Sequence, residues 1–425
     1  MTHILDELAA RGLLARTTDE AALRAALDAG PVTFYVGFDP TAPSLHIGNL
    51  VQLLAARRLQ RAGHRPIVLV GGATGLIGDP KPTAERQLNE RSVVAAWVDR
   101  IREQVRPYLA FEGDDGAVLV NNLDWTERLT AVDLLRDVGR HFRVGRMLAK
   151  EAVATRLASD AGISYTEFSY QVLQAYDFLH LLREHGCTLQ TAGSDQWGNV
   201  TAGLDLIHYA EGREAHGLAT PLITKADGTK FGKSESGTVW LDPEMTSPYA
   251  FFQFWLQADD RDVAGYLRVF TELSDDALAD LEKATAERPG AREAQRALAR
   301  EATTLVHGAR QAEQAEAAGL ALFGRSELSA LDEHTLAAAL AETRSVAVAP
   351  GQPPTYAELL VATGLVESAS AARRAVQEGG AYANNDKVLD PLAVPPESSW
   401  LHGRYLVLRR GKRTVAGVVR GSGAA

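Results

Sequence analysis

The stretch from Tyr35 to Leu50, YVGFDPTAPSLHIGNL, leaves this chain few folds to choose from. Val32 to Val36 (VTFYV) is β-branched and aromatic and predicts a strand. Gly37 to Ser44 is punctuated by Gly and Pro and cannot continue it. A helix is expected to begin near Ile47, because Leu50, Leu53, Leu54 and Leu59 recur at helical spacing. A strand that runs through an irregular loop into a helix offers free backbone N–H groups and the positive end of a helix dipole, which favour an anion. His46 adds ring donors, and Gly48 lets the backbone approach closely. This is equipment for a nucleotide triphosphate, although a turn of this kind is common in α/β proteins. A second stretch, Lys225 to Ser234 (KADGTKFGKS), weights the reading. Its lysines are either solvated charge or movable ammonium groups suited to a transferring phosphate.

The rest of the N-terminal half has the matching rhythm. Ile4 to Ala15 and Glu20 to Ala29 read as amphipathic helices. Ile67 to Gly71 is a continuous apolar run, expected as a strand buried on both faces, and it leads into GGATGLIGDP with Asp79 at its end. Ser92 to Leu109 reads as a helix and Ala117 to Asn122 as another buried strand. Strands alternating with helices predict a doubly wound, Rossmann-like parallel sheet, with ligands at the carboxyl ends of its strands. Gly37, Asp79 and Asn122 all lie just past strand ends, so their loops should converge.

Leu129 to Leu157 is mainly helical in pattern, and its apolar positions face either a partner subunit or the chain itself. Thr166 to His185 has an informative wheel. Phe168, Val172, Ala175, Leu179 and Leu182 share one face; Tyr170, Gln174 and Asp177 share the other. Such a polar face is ordinarily solvated, but a phenol, an amide and a carboxylate also suit a small zwitterionic or phenolic ligand. Thr188 to Ala192 predicts a short strand, then GSDQWGN opens a helix with Asp195 as a candidate N-cap and Trp197 as core. Pro221 to Ser234 reads as strand-like, then as loop.

The 425 residues suggest two to three domains. We expect a catalytic domain over 1–240, an α-helical domain over 241–345, a Pro/Gly-rich linker over 346–355 and a small α+β domain over 356–425. The net charge of −10 argues against a nucleic-acid partner. Its distribution argues for one: Arg404, Arg409, Arg410, Lys412, Arg413 and Arg420 fall in a run without an acid. The single cysteine, Cys187, excludes an internal disulfide and a Cys-rich zinc site, and no side-chain metal site is expected. Met1 is followed by no signal-peptide pattern, and no apolar run is long enough to span a membrane, so a cytoplasmic protein is expected.

These residues resemble the bacterial tyrosyl-tRNA synthetases, class I aminoacyl-tRNA synthetases, over nearly the whole chain. PTAPSLHIGN is similar to the HIGH signature and KFGKS to the KMSKS signature. YTEFSYQVLQAYDF and LQTAGSDQWGN resemble that family's amino-acid and ribose-binding stretches, and Tyr356 onward resembles its small RNA-binding domain. The resemblance implies that Tyr35 and Asp177 take a tyrosine hydroxyl, and that Asp79, Tyr170 and Gln174 take its ammonium group. It implies ATP or adenylate contacts from Gly37, Asp39, Thr41, His46, Asn49, Gly193, Asp195, Gln196 and Lys233. Thr41, His46, Lys230 and Lys233 would stabilise the leaving pyrophosphate. Arg404, Arg409, Arg410, Lys412 and Arg413 would contact tRNA(Tyr). It further implies Mg²⁺ with ATP and a homodimer.

Three departures stand out. Asn49 replaces the second His of HIGH, Val36 cannot hydrogen-bond a ribose, and DPKPTAER lacks the family's lysine spacing, which leaves Lys81 and Arg86 without an assigned role. Competing readings are a synthetase for tryptophan, a non-catalytic RNA-binding protein on the same fold, and a nucleotidylyltransferase that does not act on tRNA. Tyr35 with Asp177 favours a phenol over an indole, the intact HIGN and KFGKS favour catalysis, and the third reading leaves the C-terminal modules unexplained.

Overall fold

In the computed structural model the described residues are 2–80, 88–160, 162–226, 231–234, 237–349 and 354–421, with backbone alone for 151, 152, 233 and 234. Lys230, Lys81 and Arg86 lie outside the described residues, as does the side chain of Lys233. The chain forms two compact units, residues 1–245 with 264–273, and residues 246–263 with 274–425.

The first unit is built on a six-stranded sheet. Its strands are β1 (Arg16–Thr17), β2 (Thr33–Phe38), β3 (Arg65–Val70), β4 (Val118–Asn121), β5 (Leu189–Gly193) and β6 (His216–Thr220), in the order β1-β6-β5-β2-β3-β4. All neighbours run parallel except β1 against β6. The expected doubly wound sheet is therefore present, and the central β2 lies between β3 and β5. Successive strands step outward on both sides of that point, which opens a crevice at the carboxyl ends. The apolar runs of β2 and β3 are buried as a two-faced strand requires: Phe34, Val36, Ile67 and Val68 are all at most 1% exposed.

Two expectations need correction. Ala117 to Asn122 reads as a buried strand, yet β4 is the sheet edge and Val118 is exposed. Its apolar side chains meet one neighbouring strand only. The strand-like character expected within Pro221–Ser234 belongs instead to β6 just before it, whose small Gly and Ala residues weaken the apolar signal. Beyond it, β7 (Lys233–Ser234) and β8 (Gly237–Thr238) form a short hairpin.

The helix Tyr165–His185 packs on the first sheet, where Phe178, Leu181 and Leu182 share a core with Tyr35, Ile67 and Leu69. Ser164 caps it by accepting from Glu167 N at 3.3 Å, and Gly186 ends it in the left-handed region at φ +62. Near its start, Arg156 Nη1 donates to Glu167 at 2.9 Å, with both side chains at most 2% exposed. Arg156 Nε also donates to Gly162 O, which ties the preceding loop to the helix.

In the second unit, the helices Pro248–Leu256, Asp275–Glu287, Glu293–His307, Ala309–Leu322 and Glu333–Ala341 pack around Phe251, Trp255 and Leu298. Ala302, Ala315 and Ala318 are buried and let the helices approach closely. The same unit contains a five-stranded sheet of β9 (Arg344–Val348), β10 (Ala381–Ala383), β11 (Asp386–Lys387), β12 (Tyr405–Arg410) and β13 (Thr414–Arg420), ordered β11-β10-β12-β13-β9. Helices Tyr356–Ala362 and Ala369–Gln377 pack on it around Leu359, Leu360, Leu406, Leu408 and Val418. The expected linker over 346–355 is thus corrected at its start: Val346 and Val348 pack on this core, and β9 pairs with β13. Alternation of Val with Ser and Ala, not the Pro and Gly that follow, decides the local structure there.

The buried Arg156–Glu167 pair gives a stability test. Removing one partner strands the other charge out of water, which typically costs about 3–5 kcal/mol, whereas replacing both by apolar groups is often near neutral. Thermal melts should therefore show a lowered Tm for Arg156→Leu and recovery of most of that loss in Arg156→Leu with Glu167→Leu.

Candidate active site

Four loops past strand ends supply the site. Gly37, expected just past the strand, lies inside β2 next to its end, and Asp39 follows; Gly71 to Asp79 follow β3, Asn122 follows β4, and Ser194 to Gln196 follow Gly193 at the end of β5. The Tyr165–His185 helix brings Tyr170, Gln174 and Asp177 beneath them. The polar face of this helix is inside the protein rather than solvated: Tyr170 is 5% and Asp177 2% exposed.

Asp177 is the anchor of one network. Asn122 Nδ2 donates to its Oδ2 and Trp125 Nε1 to its Oδ1, both at 2.9 Å. Burial pushes the carboxyl up to about 7, against these two donors, which favour the charged form. Asn122 also donates to Thr74 Oγ1 at 3.0 Å and accepts from Ala73 N at 2.7 Å. Thr74 Oγ1 in turn donates to Asp39 Oδ1 at 2.6 Å, and Tyr170 Oη donates to Asp39 Oδ2 at 2.6 Å. Asp39, expected at ATP, thereby orients Tyr170. Tyr35 packs its ring against Phe178, with centroids 5.2 Å apart. Its hydroxyl is buried and has no partner among the described residues, as is Gln174 Oε1. Burial first, then the Asp177 charge, raises the Tyr35 hydroxyl well above its usual range, so it stays a donor. An unpaired buried hydroxyl is costly unless a ligand completes it.

Asp79 anchors a second network. Gln196 Nε2 donates to its Oδ2 at 3.1 Å, Asn199 Nδ2 to its Oδ1 at 3.3 Å, and Lys150 Nζ stands 3.6 Å away. Lys150 also donates to Asn199 Oδ1 at 2.6 Å. Asp195 is exposed and does not cap the following helix, whose N-cap is Gln196. Trp197 is half-buried beneath the Arg16 guanidinium, 4.8 Å from the ring centroid.

His46 caps the Ile47–Arg61 helix. Its Nδ1 accepts from Gly48 N at 3.0 Å, so the neutral ring keeps its proton on Nε2 as a free donor. Burial lowers its pKa and favours that neutral form. A Cβ at Gly48 would sit 2.8 Å from the His46 ring, so only Gly fits. Asn49 Oδ1 accepts from His46 N at 3.0 Å, so the residue that departs from HIGH completes a capping box. Thr41 is exposed, and its backbone N donates to Asp39 O at 2.8 Å.

Asn122, Trp125, Thr74, Lys150 and Asn199 were not among the expected site residues. Only Asn122 carried a signal, its place at a strand's carboxyl end. In the small sheet the basic run separates. Arg409 is buried, donates to Gly411 O at 2.6 Å and lies over Tyr382 at 4.2 Å. Arg409, expected at RNA, is packed instead, because β12 is buried on both faces and its guanidinium is covered on the side opposite Leu406 and Leu408. Arg404 lies 3.5 Å from Glu333 and Arg420 pairs with Glu397, so acids distant in sequence meet the run in space. Arg410 donates to Leu365 O, while Lys412 and Arg413 stand exposed at the β12–β13 turn.

A family model described as tRNA synthetases class I (W and Y) matches residues 27–324, and one described as Tyrosine--tRNA ligase SYY-like C-terminal domain matches 336–416. The chain is 64% identical over 419 residues to the tyrosine–tRNA ligase of Streptomyces avermitilis, covering 98% of this chain and 99% of that one. It is 61% identical over 424 residues to that of Acidothermus cellulolyticus, covering 99% of this chain and 100% of that one. A C-terminally truncated mitochondrial tyrosyl-tRNA synthetase of Coccidioides posadasii superposes with a TM-score of 0.66 at 32% identity, covering 74% of this chain and 91% of that one. Fold, family models and near-full-length identity agree: this chain belongs to the bacterial tyrosyl-tRNA synthetases within the class I family.

Proposed function

We propose that the two buried networks divide the substrate between them, with Asp177 and Tyr35 reading the phenol of tyrosine and Asp79, Tyr170 and Gln174 holding its ammonium group. The reaction is that of a tyrosine–tRNA ligase, with ATP as the activating substrate. The observation that carries the assignment is the Tyr35 hydroxyl, buried and unpaired beside a carboxylate already fixed by Asn122 and Trp125. A phenol donates to Asp177 and accepts from Tyr35. An indole has no hydroxyl to offer either, so the tryptophan reading has no support here. Asp79 has about four acceptor sites and can take the ammonium beside its present donors.

The tyrosine carboxylate then attacks the α-phosphorus of ATP and expels pyrophosphate. The terminal ribose hydroxyl of tRNA(Tyr) next attacks the acyl carbon, and AMP leaves. Neither step needs a covalent enzyme intermediate. His46 Nε2–H, Thr41 and the Gly-rich loops stabilise charge on the phosphates by position. Gly37, Asn49, Gly193, Asp195 and Gln196 line the nucleotide side, and Lys230 and Lys233 meet the leaving pyrophosphate. Among the described residues no three-ligand His, Cys, Asp or Glu cluster could hold a metal. We therefore propose that Mg²⁺ arrives on the ATP phosphates and assign it no protein cage.

A cavity of about 530 Å³ beside Lys150 is lined by Arg140, Arg143 and Arg146, which suits the incoming acceptor end of the RNA. Lys412, Arg413 and Arg410 are proposed to contact its phosphates from the small sheet. The exposed Val132, Leu135, Val144, Leu148, Leu157 and Tyr165 support a homodimer. No helix among the described residues is long and apolar enough to cross a membrane, and we place the enzyme in the cytoplasm.

Four outcomes are expected. In tyrosine-dependent pyrophosphate exchange, Asp177→Asn should lose about 1.5–3 kcal/mol in kcat/KM, and Tyr35→Phe less, since one donor is lost and the acceptor remains. Because burial raises the Asp177 pKa to about 7, the carboxylate form, and kcat/KM with it, should rise with pH through that region. Asp177→Asn should abolish that limb; a limb that persists would assign it to another group. Reversing Lys412 and Arg413 to Glu should weaken tRNA charging, flatten its salt dependence and leave exchange intact. Sedimentation should give a dimer that Tyr165→Asp with Leu148→Asp dissociates; an unchanged mass would exclude this face.

A further inference from the structure

Residues 264–273 group with the first unit, although the segments on both sides of them, 246–263 and 274 onward, group with the second. The helix Val263–Phe270 explains this return. Phe231, inside KFGKS, stands 5.0 Å from the Tyr266 ring and 5.4 Å from the Phe270 ring, stacked on the latter at 21°. Tyr266 and Phe270 are four apart and so share one helix face. Tyr266 is 7% exposed and Phe270 fully buried. Tyr266 Oη also donates to Thr224 O at 3.5 Å, just before the lysine-rich loop begins. One helix thus meets the chain on both sides of that loop.

The end of this helix is fastened to the helix that His46 caps. Arg58 Nη2 donates to Thr271 O at 3.3 Å and pairs with Glu272 at 3.3 Å. Arg61 pairs with Glu272 at 3.0 Å, and Arg11 Nη2 donates to Leu273 O at 2.8 Å. At the other end of the Ile47–Arg61 helix, Gly232 lies against Ile47. It has φ +83, and a Cβ there would fall 3.1 Å from Ile47 Cγ1. Gly232 O accepts from Val239 N at 2.9 Å, and Val239 O accepts from Ile47 N at 3.1 Å. The backbone entering Lys233 is therefore referenced to the His46 cap through Gly232 and to the same helix's far end through Phe231.

We propose that Tyr266 and Phe270 are positioning residues for the adenylation step: their rings fix Phe231 and thereby set where the backbone presents Lys233 relative to His46. The inference rests on the reading of Lys233 as a cation for the leaving pyrophosphate. It deepens that reading by naming what holds the cation in register.

The test uses the full chain, with tyrosine affinity read by intrinsic fluorescence and adenylate formation followed in single turnovers at saturating tyrosine and ATP. Phe270→Ala and Tyr266→Ala should slow adenylate formation by about tenfold or more, since misplacing a charge by an ångström weakens its action steeply, while tyrosine affinity changes less than about twofold. Tyr266→Phe, which keeps the ring, should retain most of the rate. Phe231→Leu, at a half-buried position, carries the same test should the deeper variants fail to fold. Adding Phe270→Ala to Lys233→Ala should slow the reaction no further than Lys233→Ala alone. Multiplicative losses, or tyrosine affinity falling in parallel with rate, would make the rings general support and overturn the proposal. An unimpaired Lys233→Ala chain would overturn the lysine's role. An unimpaired Phe270→Ala chain beside an impaired Lys233→Ala chain would overturn the rings' role alone.

Discussion

A carboxylate buried at 2% exposure is expensive to keep charged, and most of the pocket is arranged around that cost at Asp177. Asn122 and Trp125 each give it one hydrogen bond, which leaves lone pairs directed at a ligand. Asn122 is itself fully buried and must satisfy its other polar atoms, so Thr74 and the Ala73 amide are drawn in. Thr74 then reaches Asp39, and Asp39 holds Tyr170. The donors and acceptors of this network are therefore oriented by the protein itself. A site built to bond a hydroxyl rejects an analogue that lacks one, because its buried groups are then left unpaired.

The Ile47–Arg61 helix does two jobs that depend on its rigidity. Its N-terminus carries a neutral His46 whose Nδ1 takes the Gly48 amide, while Val239 O takes the Ile47 amide and Asn49 completes the capping box. Its C-terminal turn carries Arg58, nearly buried and shared among Glu7, Glu272 and the Thr271 carbonyl. A charge at that depth is costly without partners, and both of its Nη groups have them. The same element thus fixes the His46 ring at one end and the 271–273 segment at the other.

In the C-terminal sheet, charge that looks uniform along the chain is sorted by whether it falls within a strand buried on both faces or on the turn after it. Arg409 lies within β12 and stacks on Tyr382, whereas Lys412 and Arg413 sit on the turn. The Asn384–Asn385 turn between β10 and β11 adopts φ +46 and +71, the left-handed pair a two-residue hairpin needs. Asn385 also donates to Ala321 O at 2.7 Å, which binds this hairpin to the end of a helix in the same unit.

The amino-acid sequence by itself determined the strand–loop–helix unit at Tyr35–Leu50, the parallel sheet, and the helix face that carries Tyr170, Gln174 and Asp177. Each of these is a short-range periodicity, written within a few residues. It also determined the signatures HIGN and KFGKS, whose residue types fit one chemistry. The tertiary structure alone decided that this helix face is buried, that Asn122 and Trp125 reach Asp177 across 55 and 52 residues, and that Asp39 meets Tyr170 across 131. It alone decided that Arg409 is packed while Lys412 is free, and that residues 264–273 return to the catalytic unit. Partners at such separations follow from how whole elements pack, and burial then fixes which polar atoms must find one another; neither quantity has a period along the chain.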